Sequence, residues 1–306
     1  MTLQQLKYAI EIAKCGSISE AAKNLFVSQP SLSKAIKELE TELKLTIFIR
    51  TNKGITISNE GTEFLGYARQ VVEQNQLLEE KYLGVKDVKQ RFSVSTQHYS
   101  FAVNAFVDII EENNIDQYDF TLRETRTSEI IDDVKNLVSE IGVLYLNDFN
   151  EKVIGNILEE NELEFEELFE TKPYVFISFK HPLAQKDIVT MEDLKEYPCL
   201  SFEQGDKNSF YYSEEILSTV KHKKDIRVSD RATLFNLLIG LNGYTICTGI
   251  ISKELNGKDI IAVPLDEKEY IRVGIIKRKN IIISQLGQKY IEAIKHQCKI
   301  VNNGLL

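Results

Sequence analysis

From the first residues, apolar positions recur at helical spacing. Leu6, Ile10 and Ala13 share one face of a segment that opens with the Thr2/Gln5 spacing of a capping box and stops at Gly16. Ser17 and Glu20 repeat that spacing before Ala21, Ala22 and Leu25, a face small enough for another helix to cross closely, and Phe26, Val27 and Ser28 read as a turn. A third helix follows, with Ser28 as N-cap, Pro30 in its first turn and Leu32, Ile36, Leu39 and Leu43 as one buried stripe. At ~100° per residue, Pro30, Ser33, Lys34, Lys37 and Thr41 fall on the opposite face, polar and basic, suited either to solvent or to a groove. The period then turns strand-like over 46–50 and 55–57, around a turn of Thr51, Asn52, Lys53 and Gly54. Helices followed by a basic-tipped hairpin predict a winged helix-turn-helix.

A continuous helix from about 58 to 84 carries Phe64, Ala68, Val71, Asn75, Leu78 and Tyr82 at heptad spacing. So narrow a seam needs a partner, either its own domain or a second chain. Beyond Arg91 the periods alternate, strand-like at 92–95, 118–122 and 141–146, helical at 100–112 and 128–138. Strands at 174–178, 199–202, 226–228, 244–247, 260–263 and 271–276, helices near 191–196, 213–220 and 231–239, and a last helix from about 284 to 301 complete the pattern. This much alternation exceeds one doubly wound sheet and predicts two α/β lobes that exchange strands. The expected fold is therefore α/β with a helix-rich head: a winged helix-turn-helix over 1–58, a linker helix over 59–88 and a two-lobed domain over 89–306. The first lobe is expected at about 91–163 plus 267–306, the second at about 164–266.

The 306 residues, 43% of them hydrophobic, suffice for such cores. No apolar run approaches the ~18 residues of a membrane span, and the amphipathic, acid-containing start lacks a signal-peptide core, so a cytoplasmic protein is expected, without membrane partners. Cys15, Cys199, Cys247 and Cys298 stand far apart and read as free thiols. The net charge of −9 argues against nucleic acid until it is divided: the first 58 residues carry about +3 and the rest about −12, a basic head on an acidic body. G-x-S-x-G, P-loop, G-x-G-x-x-G and metal motifs are all missing, and His181, His222 and His296 have no carboxylate or cysteine spacing that suggests metal or catalysis, so neither an enzyme, a cofactor nor a metal is expected.

The stretch LKYAIEIAKCGSISEAAKNLFVSQPSLSKAIKELETELKLTIFIRTNKGITISNEG closely resembles the N-terminal domain of LysR-type transcriptional regulators. The resemblance rests on Ala21-Ala22, the run from Ser28 through Ser31 to Ser33, Ile36, Leu39-Glu40, Leu43, Phe48, Arg50 and Gly61, in that family's order and spacing. Lys44 departs from it, standing where the family usually ends the recognition helix on a left-handed Gly. The resemblance implies that Gln29, Pro30, Ser33, Lys34 and Lys37 approach a major groove while Arg50, Thr51 and Lys53 meet backbone or minor groove. By chemistry, Gln29 suits adenine and Lys34 guanine, whereas Ser31, Ser33 and Lys37 suit phosphates. It further implies a dimer or tetramer seamed by Phe64, Ala68, Val71, Asn75, Leu78 and Tyr82, an interrupted inverted repeat in double-stranded DNA, and contact with RNA polymerase.

The second half resembles, less specifically, the family's effector domain, similar in fold to periplasmic binding proteins; HPLA at 181–184, Asp187 and Met191 to Leu194 carry that likeness. By position, Thr96, Gln97, His98, Tyr99, Ser100, Thr127, Ser128, Phe202 and Thr248 would line a cleft for a small, anionic effector, although Ser and Thr at these places also read as plain helix caps. One rival within the family is an oxidant switch built on Cys199 and Cys247, whose apolar strand settings favour inert thiols. A ligand scavenger without DNA binding would not need the head.

Overall fold

Capping opens the head as the spacing predicts. In a computed structural model, which describes residues 1–51, 54–83, 90–112, 117–207, 209–251, 257–279 and 281–304, the Thr2 hydroxyl accepts from Gln5 N at 3.2 Å and Gln5 Oε1 accepts from Thr2 N at 2.9 Å. Helix α1 (Leu3–Cys15) ends at Gly16, whose φ of 63° is left-handed. Its buried stripe is Leu6, Ala9 and Ile12; Ile10 and Ala13, expected on one face with Leu6, are half-buried. Helix α2 (Ile18–Asn24) buries Ala21 and Ala22, and α3 (Gln29–Leu43) buries Leu32, Ile36 and Leu39 against them. Lys44 ends α3 in the left-handed region at φ 56°, taking the conformation for which Gly is better suited.

Glu40, on α3, sets the wing. Its Oε1 accepts from Ile47 N at 2.7 Å and Phe48 N at 3.1 Å, which holds those amides to the helix and delays the hairpin to β1 (Phe48–Thr51) and β2 (Gly54–Ile57), later than the 46–50 strand expected. Helix α4 (Asn59–Leu83) follows Ser58, whose hydroxyl accepts from Gly61 N at 2.8 Å and donates to Thr46 O. A Cβ on Gly61 would stand 2.3 Å from the Ile47 carbonyl oxygen, so only glycine fits where α4 crosses the wing. The start of α4 packs on the head: Leu65 joins its core, and Ala68 and Val72 cluster with Leu6.

The chain divides into two compact units, Met1–Val88 with Asn136–Val138 and Lys89–Lys135 with Ser139–Leu306. In the second, a five-stranded sheet of order β4-β3-β5-β12-β6 forms one lobe. It comprises β3 (Gln90–Thr96), β4 (Tyr118–Glu124), β5 (Ile141–Leu146), β6 (Leu163–Thr171) and β12 (Ile271–Arg278). Strand β3 runs parallel to β4 and β5, while β12 runs antiparallel to β5 and β6. Helices α5 (Ser100–Glu112), α6 (Thr127–Lys135), α7 (Glu151–Glu160) and the C-terminal α10 (Gln285–Gly304) belong to this lobe. Its core is aromatic: the Phe92 ring lies 6.0 Å from Phe106 and 5.5 Å from Tyr290, whose hydroxyl donates to Ala102 O at 3.0 Å.

The other lobe holds an antiparallel sheet of order β10-β7-β11 and a parallel pair β8-β9. These are β7 (Tyr174–Ser178), β8 (Cys199–Phe202), β9 (Asp225–Val228), β10 (Thr245–Cys247) and β11 (Ile260–Pro264), with helices α8 (Met191–Leu194) and α9 (Arg231–Leu241). Two expectations need correction. Strand β6 pairs along its whole length with β12, so the chain leaves the first lobe after Thr171 rather than at 163. The helix expected at 213–220 is a short 3-10 turn at Phe210–Tyr212 followed by irregular turns with Leu217 at φ 58°, because the Glu215 carboxylate is drawn inward to Phe202 N.

Candidate effector cleft and nucleic-acid interface

On the head, Gln29, Pro30, Ser31, Lys34 and Lys37 are exposed along α3, and Ser33 is half-buried beside them. The hydroxyls of Ser28 and Ser31 lie 2.7 Å apart, and Lys34 Nζ stands 3.8 Å from Glu38, a loose surface pair that leaves the ammonium available. At the turn before α3, Phe26 is 96% exposed with φ 54°. Arg50 and Thr51 lie in β1, but their side chains, like all of Lys53, are outside the described residues.

The seam on α4 is divided. Ala68 is buried and Phe64 half-buried against the head, so neither is free for a second chain, whereas Val71, Leu78 and Tyr82 are exposed and align with exposed Tyr67. Asn75 is half-buried and donates to Glu79 Oε1 at 2.7 Å, one turn along its own helix.

Between the two lobes of the second unit lies a cleft of about 610 Å³, part of it open to solvent. His98, Tyr99 and Ser100, at the end of β3 and start of α5, meet Phe202, Glu214, Glu215, Arg231 and Thr248 there, and Phe176, Leu234, Phe235, Ile246, Ile250 and Ile271 give it a largely apolar wall. Of the residues expected in the cleft, His98, Tyr99, Ser100, Phe202 and Thr248 line it. Thr96, Gln97, Thr127 and Ser128 do not; all are buried, and the first three are spent on structure. Thr96 donates to Gln97 O at 2.8 Å. Gln97 donates to the Thr127 hydroxyl at 2.6 Å and accepts from the Tyr99 hydroxyl at 2.8 Å and Tyr145 N at 3.1 Å, so its amide holds the strand end together.

Polar contacts close the lobes on one another. Thr127 N, at the start of α6, donates to Gln204 Oε1 at 3.2 Å, and the Arg126 guanidinium pairs with Glu203. His98 N and Nδ1 both meet Glu214 Oε2, at 3.0 and 2.9 Å, while the imidazole stacks on Phe202 at 3.8 Å. Burial pulls the His98 imidazole down, but the Glu214 carboxylate outweighs it, and the net shift is upward. Burial, reinforced by Glu214, pushes the Glu215 carboxyl up to about 8. Glu124, at the end of β4, is also raised by burial against the pull of Arg231 and His98.

Arg231 is the cleft's one described residue with an unspent cationic donor. Its Nη2 lies 2.9 Å from Glu124 Oε1, at an angle too poor for a hydrogen bond, and its buried Nη1 has no hydrogen-bond partner among the described residues. Sequence reasoning missed it, together with Glu214 and Glu215, because all three fell within segments read only as helices, near 231–239 and 213–220. The thiols point away from oxidant chemistry: Cys15, Cys199 and Cys247 are free, burial raises Cys199 to about 12 and raises Cys247 as well, so both stay protonated where a sensing cysteine needs a thiolate.

Residues 3–62 match the model of bacterial regulatory helix-turn-helix proteins of the lysR family, and residues 116–299 match the LysR substrate binding domain. The transcriptional dual regulator GltC of Bacillus subtilis is 25% identical over 309 residues, covering 96% of both chains. The malolactic fermentation system transcriptional activator of Lactococcus lactis is 25% identical over 305 residues, covering 96% of this chain and 98% of its own. Among solved structures, full-length OxyR from Pseudomonas aeruginosa superposes with a TM-score of 0.68 at 20% identity, over 96% of this chain and 98% of that one. Full-length CbnR complexed with its target DNA does so with 0.57 at 17% identity, over 97% and 100%. At such identities these structures speak to the fold. No described helix is long and apolar enough to cross a membrane.

Proposed function

The chain belongs to the LysR family of bacterial transcriptional regulators, with a DNA-binding winged helix-turn-helix and an effector-binding domain, and on that premise we propose how it reads DNA and what it senses. Gln29 and Lys34 read base edges in the major groove beside Pro30, and Ser31, Ser33 and Lys37 fix the register on phosphates; Arg50, Thr51 and Lys53 of the wing contact the backbone or the minor groove. The exposed Val71, Leu78 and Tyr82 stripe of α4 joins two copies, so that paired α3 helices span an interrupted inverted repeat. Leu78→Asp should then yield monomers in sedimentation, and an unchanged assembly would remove this seam from the interface. The protein acts in the cytoplasm and alters promoter activity through RNA polymerase.

The effector is a small carboxylate with an aromatic or branched apolar body. The observation that carries this is Arg231 Nη1, a buried N–H without an acceptor among the described residues, on a side chain that lines the apolar cleft. Burial leaves Glu215 largely unionised near neutral pH, and the Glu214 carboxylate shifts the His98 imidazole towards its protonated form, so a ligand carboxylate meets less repulsion than the acidic residues imply. Binding replaces the misaligned Glu124 contact and adds to the cross-lobe bonds, favouring the closed lobes; a ligand acts only through such differential affinity. Thermal shift of the full chain against aromatic and branched carboxylates tests this. A saturable stabilisation that Arg231→Gln abolishes is expected. Stabilisation by such acids that survives Arg231→Gln, or by amines and sugars alone, would refute the assignment.

A further inference from the structure

Away from the cleft, the second lobe brings Cys199 together with His222 and Asp225, a pair three residues apart but distant from it in sequence. Strands β8 and β9 pair in parallel with Cys199 opposite Asp225, and Cys199 N donates to Lys224 O at 2.8 Å. That clamp holds the segment containing His222 against the end of β8. One ligating atom each of Cys199, His222 and Asp225, a sulfur, an imidazole nitrogen and a carboxylate oxygen, lie within 4.8 Å of one another. The fully buried Tyr244 braces them: its hydroxyl lies 3.0 Å from His222 Nδ1 and hydrogen-bonds the Cys199 thiol.

We propose that Cys199, His222 and Asp225 bind one zinc-class divalent cation. Thiolate, imidazole and carboxylate together are the donor set of Zn²⁺, and three protein ligands leave a fourth position for water. Metal–donor lengths of roughly 2.0 to 2.3 Å require the donors to close by about 1 Å, which the half-buried His222 and exposed Asp225 allow by side-chain rotation. Tyr244 then serves as the outer hydrogen-bond partner that orients the ligands. The neighbouring lysines do not oppose it strongly, since Lys223 pairs with Glu196 and Lys224 Nζ donates to Glu196 O.

The step balances as a proton exchange. The Cys199 thiol loses its proton as the metal–sulfur bond forms, and the ion takes the place of H⁺. The consequence is a clip joining β8, β9 and the segment before β9, separate from the Arg231 cleft, which Cys199 does not line. The site therefore stands whether or not the effector assignment does.

The test uses the full chain in a Cys15→Ser, Cys298→Ser background, which removes two other thiols. Co²⁺ titration is expected to give a thiolate charge-transfer band saturating at one ion per chain, and Zn²⁺ calorimetry in two buffers to report about one proton released per ion. Cys199→Ser should abolish the band, and His222→Gln and the exposed Asp225→Asn, which leave the core intact, should each weaken Zn²⁺ binding at least about tenfold. Binding that is non-stoichiometric, or a band and affinity unchanged in Cys199→Ser and Asp225→Asn, would overturn the site.

Discussion

Replacing Glu215 by Gln should flatten the pH dependence of stability across the neutral range. The carboxyl is buried, with Oε1 accepting from Phe202 N at 2.9 Å and Oε2 from the Ser213 hydroxyl at 3.1 Å, and burial followed by the Glu214 charge lifts its titration from 4.5 to about 8. Between those values the native state holds a proton that the unfolded chain has lost. Its contribution is thus complete below about pH 4.5 and declines as pH rises through the folded value. At ~1.4 kcal/mol per pH unit, raising the pH from about 5.5 to about 8 costs about 3 kcal/mol through this one group. Glutamine keeps an acceptor for Phe202 N and points an amide at Ser213, so the variant retains the geometry and loses the titration. Denaturant unfolding followed by circular dichroism at several pH values gives both curves, and in their difference the other titrating groups cancel. The wild type should fall relative to Glu215→Gln by about that amount; parallel curves would refute the reasoning.

Lys44→Gly should stabilise the head by up to ~1 kcal/mol, because a Cβ at φ 56° is removed at a helix end, and a lower denaturation midpoint would contradict this. Gly61→Ala places a Cβ 2.3 Å from the Ile47 carbonyl, backbone that cannot easily give way, and should cost roughly 2–4 kcal/mol and impair DNA binding; a variant that melts with the wild type would show the crossing to be looser. Lys34→Ala should lower the ratio of specific to random-DNA affinity in competition anisotropy, since a base contact contributes to specificity and a phosphate contact does not, and an unchanged ratio would remove Lys34 from base reading.

The head was legible because its signals are local. Thr2, Ser17, Ser28 and Gly16 announce helix ends within a few residues of where they act, and Leu32, Ile36 and Leu39 keep one period. What escaped was set at a distance: Glu40 delays the wing by capturing Ile47 and Phe48, and the Leu6 cluster claims Ala68 from the linker seam. In the body, α5, β5 and β7 stood where their periods put them, whereas α7 and β6 went unread amid a glutamate-rich stretch. The cleft was half visible. Strand-end residues His98 to Ser100 follow from topology, but Arg231 and Glu214 arrive from the other lobe, and Gln97 looks like a ligand donor until its partners are seen. Cys199 shows the same limit, since parallel pairing of β8 and β9, rather than spacing along the chain, brings it to His222 and Asp225.

The most direct test of the account is in vitro selection of the full chain from a random double-stranded library, followed by sequencing. Two α3 helices joined through α4 predict an enriched motif of two inverted half-sites whose centres lie about one helical turn, or a whole multiple of it, apart. Enrichment of a lone half-site, or of no motif at all, would contradict a dimeric reader built on the α3 face and the exposed α4 stripe.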